Sequence, residues 1–452
     1  MFRRHFDPAT AVPSASLLYA IRNAREVSAG RLPPERLGVS APDERTVVID
    51  LEHPAPFLPE LFAHRGLPVP RHVVTKWGDQ WTRPEHIVSN GAFVFGEWRP
   101  GSHEAAAQSA LPRGGRRAHR CDLPRPVEDP KAALARYRAG ELDVVVNLPS
   151  EQLDELRRDF GTQLHLVRQI GLEYLAFNTR RAPLADARVR RALSMAVDRE
   201  LLSARILRAG EPPAYGLVPP GVDDYPRPAR ADFAAWPMAR RLAQARELLA
   251  QAGYGPGRPL LLRYRYNNND TQRRIALAVS AMWQALGVRT ELLTGDLKAH
   301  QQAITQGDFD VARGAWYAED RDAGSFLELL RSGAGALNVS GFRDQGYDAL
   351  LDQADAAAEV QRRAELRSQA EAIAMAAQPI APLYIYVGRR LVAPRVQGWV
   401  DNARGVTLDR YLSVAPSRRR RSRAIPRPDP RAHPRGGRHT ALRREALAAR
   451  AT

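Results

Sequence analysis

Apolar residues recur every three or four positions in three stretches of the chain, which is the spacing of one helix face. The repeated positions are Val189, Leu193, Val197 and Leu201, then Leu242, Ala245, Leu249 and Ala252, then Ile275, Val279, Met282 and Leu286. Asp186 is placed to cap the first helix, and Gly253 and Gly287 are placed to end the other two in left-handed backbone. The pattern therefore predicts three amphipathic helices.

Short runs rich in β-branched and aromatic residues lie between these helices and indicate strands. The predicted strands are 46–51, 142–146, 288–292, 309–312 and 382–387, and a further short helix is predicted over 131–137. Because strands alternate with helices of ordinary length, the fold class is predicted to be α/β, with helices layered on a sheet.

Three stretches depart from both periodicities. Residues 103–126 are rich in Arg, Pro and Gly and are predicted to be irregular. Residues 208–238 are rich in proline and are predicted to form a long ordered connection. Residues 417–452 combine arginine with proline, and we expect a disordered basic tail because such a composition buries too little apolar surface to offset chain entropy.

The net charge of +17 is concentrated in that tail, which holds twelve arginines against Asp429 and Glu445 and so carries about +10 of the total. A basic tail on a nearly ordinary body does not favour nucleic acid as the partner. A nucleic-acid binder that uses the tail stays open as an alternative from a different class.

Signatures of catalysis, metal binding and export are missing from the sequence. There is no nucleophile elbow, P-loop or metalloprotease motif, and the single cysteine, Cys121, allows no intramolecular disulfide. We expect no enzyme, no cofactor and no metal site. Asp7, Pro8 and Pro13 interrupt the start of the chain, so no secretory signal is visible there, and no apolar run is long enough to span a membrane.

Candidate binding residues follow the predicted strand 309–312. Trp316 supplies a flat wall, and the acidic residues Glu319, Asp320 and Asp322 come next. A carboxylate at a strand end could hold an ammonium group through charge-assisted hydrogen bonds. A solvated acidic turn is the structural alternative, and spacing alone does not decide between them.

The surrounding segment resembles the Gly-Trp-x-x-Asp-Tyr-x-Asp-Pro-x-Ser-Phe-Leu block of the family 5 solute-binding proteins, the oligopeptide and dipeptide receptors of ABC importers. Other blocks match in the same order, and the most specific is 183–199. The matching blocks are 54–57, 67–70, 87–93, 177–179, 183–199, 214–221, 306–329 and 381–384. The resemblance covers roughly 1–102 and 127–416.

The resemblance implies a two-lobed clamp of the periplasmic-binding-protein type (class II) with an extra small domain. Short peptides would be enclosed between the lobes and handed to the permease and ATPase subunits of an inner-membrane ABC transporter. It also implies a monomer in the periplasm or another extracytoplasmic space. Because the family varies, a murein peptide, a nickel chelate or haem stays open as the ligand.

Individual site residues carry over only in part. The family's aspartate for the peptide α-amino group falls on Glu319, with Asp320 or Asp322 as substitutes. Arg313 would meet a peptide carboxylate, or would instead form a structural ion pair. The remaining candidates for lining the cleft or shaping its turns are Trp316, Tyr317, Tyr174, Tyr384, Tyr386 and Asn90.

The resemblance also yields expected domain limits. These are 1–102 for the small second domain and crossover, 103–126 irregular, 127–177 in lobe I, 178–390 in lobe III, 391–416 back in lobe I, and 417–452 tail. Relative to the family, we expect the first lobe to be incomplete, and a degenerate, non-functional copy is a further alternative. Residues 103–126 and 417–452 share one composition, which suggests off-frame translation of a GC-rich gene as a hypothesis.

Overall fold

The computed structural model of the chain describes residues 1–10, 12, 15–65, 67–91, 93–99, 103–108, 121–124, 129–222, 225–318 and 320–415. The helices of its N-terminal part are α1 (Phe2–His5), α2 (Ala24–Ser28), α3 (Leu58–Arg65) and α4 (Arg71–Trp77). Its strands are β1 (Val39–Ser40), β2 (Val48–Ile49), β3 (Phe93–Arg99), β4 (His103–Gln108) and β5 (Cys121–Pro124).

This N-terminal part has a hydrophobic core of its own, formed around Phe6, Leu18, Ile21, Val27 and Leu61, all at most 1% exposed. β1 pairs antiparallel with β2, while β3, β4 and β5 form a separate antiparallel sheet. The N-terminal part is therefore stabilised by its own apolar contacts rather than as an extension of another core.

Two sequence-based expectations were wrong in this region. The irregular segment predicted at 103–126 contains strands β4 and β5 within its described residues. Its alanine-rich sequence has low strand propensity, and β4 forms through pairing with the β-prone run of β3. The strand predicted over 46–51 is limited to Val48–Ile49. The expected tail 417–452 lies outside the described residues.

The rest of the chain alternates helices and strands. Its helices are α5 (Pro130–Arg138), α6 (Leu153–Phe160), α7 (Ala187–Met195), α8 (Arg199–Leu201), α9 (Met238–Gln251), α10 (Asp270–Gln284), α11 (Leu297–Thr305), α12 (Gly324–Leu327), α13 (Gln345–Ala356) and α14 (Val360–Ala377). Its strands are β6 (Val144–Val146), β7 (Leu164–Phe177), β8 (Leu260–Asn267), β9 (Val288–Gly295), β10 (Val311–Tyr317), β11 (Ile380–Val392), β12 (Val396–Gln397) and β13 (Ser413–Val414).

One six-stranded mixed sheet organises this part, in the order β6-β11-β7-β10-β8-β9. β8 is parallel to β9 and to β10, whereas β7 is antiparallel to β10 and β11. Because side chains alternate along a strand, the two sheet faces carry different cores. Leu175 and Tyr384 belong to one core, and Leu172 and Tyr174 belong to the other.

The long strands β7 and β11 also reach a third hydrophobic cluster, around Leu134, Leu153 and Leu156. Leu391 of β11 is part of this cluster, and Leu164 of β7 packs against it. Both strands thus run from this cluster into the large cores of the sheet. The expected domain limits near 177 and 390 stay predictions; β7 ends at Phe177, whereas β11 continues past 390 to Val392.

The predicted helices are confirmed in two of the three stretches. Gly253 and Gly287 follow α9 and α10 with φ of +84° and +78°, as expected for left-handed stops. The first stretch was wrongly expected to be one helix. Asp186 does cap α7, but the helix ends at Met195 because Asp198 starts a new helix by accepting the Leu201 N–H at 2.9 Å.

The segment 183–199 contains two buried arginines whose hydrogen bonds connect separate parts of the fold. Arg190 donates to the carbonyl oxygens of Leu184 at 2.8 Å and Ala377 at 2.7 Å. Arg199 donates to the carbonyl oxygen of Pro382 at 2.6 Å. Each guanidinium joins backbone ends from separate elements, which gives a physical reason for arginine at these positions.

The proline-rich connection 208–238 is held by one carboxylate of α14. Glu371 is fully buried and accepts the backbone N–H groups of Leu217, Val218 and Ala229 and the Tyr225 hydroxyl, all at 2.7–2.8 Å. Gly216 lies so close that a Cβ there would sit 2.3 Å from the Ala229 carbonyl oxygen.

Among the described residues, no helix is both long and apolar enough to cross a bilayer.

We predict that Glu371→Gln destabilises the fold, because the amide would direct a donor toward groups that are themselves donors. The expected loss in free energy of unfolding is about 3 kcal/mol, measured by chemical denaturation. Glu365→Gln, on the exposed side of the same helix, is the control and should change stability by less than about 0.5 kcal/mol. Equal stability of the two variants would contradict the role given to Glu371.

Candidate functional site

Strand alternation divides the predicted site residues between the two faces of the sheet. Arg313 and Tyr317 of β10 face the same side as Glu173 of β7 and Tyr384 of β11. Trp316 and Tyr174 face the other side and pack with the second core. Trp316 and Arg313 therefore lie on opposite faces of the sheet, because they are an odd number of positions apart along the strand.

On the first face, Arg313 and Glu173 form a buried bidentate ion pair. Arg313 Nε and Nη2 donate to the two Glu173 carboxylate oxygens, each at 2.8 Å. Arg313 Nη2 also donates to the Tyr386 hydroxyl at 2.8 Å, and that hydroxyl donates to Glu173. Of the two alternatives for Arg313, this geometry is the structural ion pair.

The tyrosines of this face extend the cluster toward solvent. Tyr317 packs on Tyr386 with ring centroids 4.6 Å apart, and it is 46% exposed. Tyr384 is buried, with its ring 5.3 Å from that of Tyr386. Tyr317 is thus the residue of this group that is most open to a ligand.

On the second face, Trp316 and Tyr174 are packing residues. Trp316 Nε1 donates to the Ser325 hydroxyl at 3.3 Å, which fixes the indole against the start of α12. Tyr174 is buried beside Gly314, where a Cβ would lie 2.3 Å from the phenol ring. Glycine is required at position 314 because β10 and the Tyr174 ring approach so closely.

The acidic segment after β10 differs from residue to residue. Glu319 lies outside the described residues. Asp322 accepts the Gly324 N–H at 2.7 Å and pairs with Arg367 at 2.7 Å. Asp320 is only 5% exposed and accepts the Asp322 N–H at 3.0 Å.

Asp320 has no guanidinium or ammonium group within ion-pairing distance in the part of the chain that the structure describes. Burial raises the pKa of its carboxyl to about 7, and the nearby Asp322 and Glu60 charges add to the rise. The Asp322 N–H and the charge of Arg367, which lies beyond ion-pairing distance, act in the opposite direction. A carboxylate withdrawn from water without a cation favours a bound cationic group.

Asp320 lines a small cleft of about 90 Å³ between the N-terminal part and the segment around α12. The N-terminal wall includes Tyr19, His53 and Phe57. Three further carboxylates line the cleft, and each has a guanidinium partner: Asp322 pairs with Arg367, and Glu328 and Asp355 pair with Arg331. Arg331 is shared by two of these acids, and Asp320 is the one of the four cleft acids that has no ion pair among the described residues.

Glu60 of α3 connects the N-terminal part to the acidic segment and to the C-terminal stretch. Its carboxylate accepts the Arg321 backbone N–H at 3.2 Å and pairs with Arg404 at 3.0 Å. Asn90 lies in an exposed stretch, and the cleft-lining residues do not include it. The described residues contain no group of three or more His, Cys, Asp or Glu that could hold a metal ion.

Sequence reasoning missed Glu173 and Glu60. Glu173 left a signal, since it is an acidic residue within the apolar run of β7 and so needed a partner there. No feature of the sequence indicated a role for Glu60, because the residues that it contacts lie 261 and 344 positions away along the chain.

Comparison with known proteins agrees with this architecture. The family model for bacterial extracellular solute-binding proteins, family 5 (Middle), matches residues 1–338. The periplasmic murein peptide-binding protein MppA of Escherichia coli is 33% identical over 426 residues, which is 91% of this chain and 78% of that protein. The structure of Burkholderia pseudomallei OppA, 34% identical, superposes with a TM-score of 0.85 over 92% of this chain and 83% of its own.

Two structures of one relative differ in how well they match. The E. coli murein tripeptide binding protein MppA superposes with a TM-score of 0.84 over 91% of this chain and 82% of its own, at 33% identity. An unliganded open form of MppA, also 33% identical, gives 0.66 over 91% and 81%. The lobes of this chain are therefore arranged unlike those of the open form.

The fold and cleft define a two-lobed binding protein of mixed α/β architecture. The chain belongs to the bacterial extracellular solute-binding proteins of family 5.

We predict that Glu60 and Arg404 are energetically coupled, because their charges meet at a partly buried site. In a double-mutant cycle of Glu60→Gln and Arg404→Gln, the coupling in free energy of unfolding should be about 1 kcal/mol. Additive effects, within about 0.3 kcal/mol, would remove Glu60 as a link between the N-terminal part and the C-terminal stretch.

Proposed function

We propose that this chain is the peptide-binding component of an ABC importer and that it captures short peptides by their free amino end. Asp320 is the anchor for the peptide ammonium group, supported by its burial and by its lack of a cationic partner among the described residues. Membership of family 5 supports the class of ligand, since relatives are named as murein peptide- and oligopeptide-binding proteins.

The surroundings of Asp320 suit this role. Its carboxylate is held by the Asp322 N–H and stands just after the end of β10, in the cleft between the N-terminal part and the segment around α12. A charge-assisted hydrogen bond in such a water-poor site is stronger than one at an exposed surface. Trp316 contributes by fixing Ser325 and the start of α12 beneath the acidic segment.

The arrangement of the lobes supports capture by closure. The better match to the first MppA structure than to the open, unliganded form supports an arrangement of the two halves that differs from the open one. Glu60, which touches both the acidic segment and Arg404, would form its contacts only in such an arrangement. Binding of a peptide ammonium group would then stabilise the closed arrangement of the two halves, because it would supply a positive charge next to Asp320.

The wider assignments follow the relatives. The chain acts outside the cytoplasmic membrane, as relatives are named periplasmic, and delivers its ligand to permease and ATPase subunits. We assign it as a monomeric binder without catalytic activity. Residues 178–390 would form most of one lobe, and the N-terminal core around Phe6 would belong to the small second domain.

Native purification followed by mass spectrometry of the released ligand tests the proposal. The wild-type chain should release short peptides with free amino ends, and Asp320→Asn should release at least tenfold less, because a buried ammonium would lose its counter-charge (about 1.4 kcal/mol per factor of ten). Asp270→Asn, an exposed position outside the cleft, is the control and should match the wild type.

Glu319→Gln separates the two candidate anchors. Retained peptide in Glu319→Gln with loss in Asp320→Asn would support Asp320. The reverse pattern would transfer the anchor to Glu319 and overturn the assignment of Asp320. Absence of any amine-bearing ligand in the wild type, together with no binding of added tripeptides, would refute the peptide-receptor function itself.

The raised pKa of Asp320 predicts a pH optimum for binding. The carboxyl is charged only above a pH of about 7, so affinity should fall roughly tenfold per pH unit below that value. A peptide α-amino group loses its proton above a pH of about 8, so affinity should also fall on the alkaline side. Calorimetric titration with a tripeptide from pH 5 to 9 measures the profile, and an unchanged acid limb in Asp320→Asn would contradict the assignment.

A further inference from the structure

The ion pair between Arg313 and Glu173 bears on which end of a peptide the site recognises. This question rests on the proposed function, because it concerns the ligand of the same cleft. Resemblance to the family makes Arg313 a candidate partner for a ligand carboxylate. In the structure, that guanidinium is already hydrogen-bonded to Glu173 and Tyr386.

Glu173 is fully buried, and the Arg313 side chain is only 16% exposed. Two parallel hydrogen bonds of 2.8 Å join Nε and Nη2 of Arg313 to the Glu173 carboxylate. The Tyr386 hydroxyl bridges the same pair from the side. Of the three guanidinium nitrogens of Arg313, Nη1 is the one that donates to no acceptor among the described residues.

The guanidinium of Arg313 faces an acidic side chain at ion-pairing distance. Burial alone would lower the pKa of Arg313, but the adjacent Glu173 charge raises it well above its ordinary value. Arg313 therefore stays charged, with the Glu173 carboxyl group hydrogen-bonded against it at 2.8 Å. A ligand carboxylate approaching Nη1 would meet the repulsion of Glu173 together with the attraction of Arg313.

Strand alternation adds a geometric obstacle. Asp320 lines the cleft with Ser325 and Leu327, on the side of the sheet where Trp316 packs. Arg313 points from the opposite face, toward Glu173 and Tyr386. A short peptide anchored at Asp320 would have to reach around the edge of β10 to place its carboxylate on Arg313.

We infer that the site selects its ligand by the amino end alone and that Glu173 withdraws Arg313 from carboxylate recognition. The ligand class is then peptides with a free amine whose far end is not selected, so that C-terminal amides and free acids bind alike. The open Nη1 edge and the partly exposed Tyr317 offer neutral contacts, which suit a peptide carbonyl as well as a carboxylate.

A competition between two peptide pools tests the inference. One pool holds random tripeptides as free acids, and the other holds the same sequences as C-terminal amides, with an isotope label marking one pool. Both are offered together to the purified full chain after its native ligand has been removed, and captured peptides are counted by mass spectrometry. The wild type should capture the two pools within about threefold of each other (under 1 kcal/mol).

Glu173→Gln keeps the shape of the side chain while releasing the charge of Arg313, and it should shift capture toward the free acids by about tenfold. Glu365→Gln, the same substitution at an exposed position of α14, is the matched control and should keep the wild-type ratio. Circular dichroism establishes that both variants are folded. Should Glu173→Gln fail to fold, the wild-type ratio alone still decides the question.

A wild-type preference for free acids of tenfold or more would overturn the inference while leaving the peptide receptor intact. A folded Glu173→Gln variant that shows no shift toward free acids would overturn it equally. Capture of neither pool would instead refute the proposed function, and the inference would fall with it.

Discussion

The proposed function depends most on one electrostatic feature, a buried carboxyl group that has no ion pair among the described residues. Asp320 is 5% exposed, and within the described residues it receives one hydrogen bond and no ion pair. Of the neighbouring acids of the cleft, Asp322 pairs with Arg367, while Glu328 and Asp355 share Arg331. A native fold tolerates such a group when a ligand supplies the missing charge, and the raised pKa of the free carboxyl reflects the same imbalance.

In the proposed function, the six-stranded sheet places the groups that would meet the two ends of a ligand on different faces. Alternation along β10 directs Trp316 toward the side of the cleft and Arg313 toward the opposite face, where Glu173 neutralises it. The close approach of Tyr174 to Gly314 fixes the position of β10 against β7. One strand thus lies between the proposed anchor, Asp320, and the cluster of Arg313 and Glu173, so the two ends of a ligand would meet different chemistry.

Local features were predictable from the sequence, and long-range polar contacts were not. Gly253 and Gly287 mark helix ends because their left-handed backbone is a local property. The break after Met195 was missed because the apolar spacing continues through Val197 while Asp198 starts a new helix. The contacts of Glu60 and Arg313 depend on residues more than a hundred positions away, which neither spacing nor propensity reveals. The resemblance located the acidic segment, but burial was needed to distinguish Asp320 from Asp322.

The central claim concerns the charge state of Asp320, and nuclear magnetic resonance of ¹³C-labelled aspartate carboxyls measures it directly, with Asp320→Asn used to assign the signal. The account predicts titration near pH 7 in the unliganded chain. It also predicts a fall of about two pH units or more when a tripeptide with a free amino end is bound. A carboxyl that titrates below pH 5 without ligand, or whose titration does not change on binding, would contradict it.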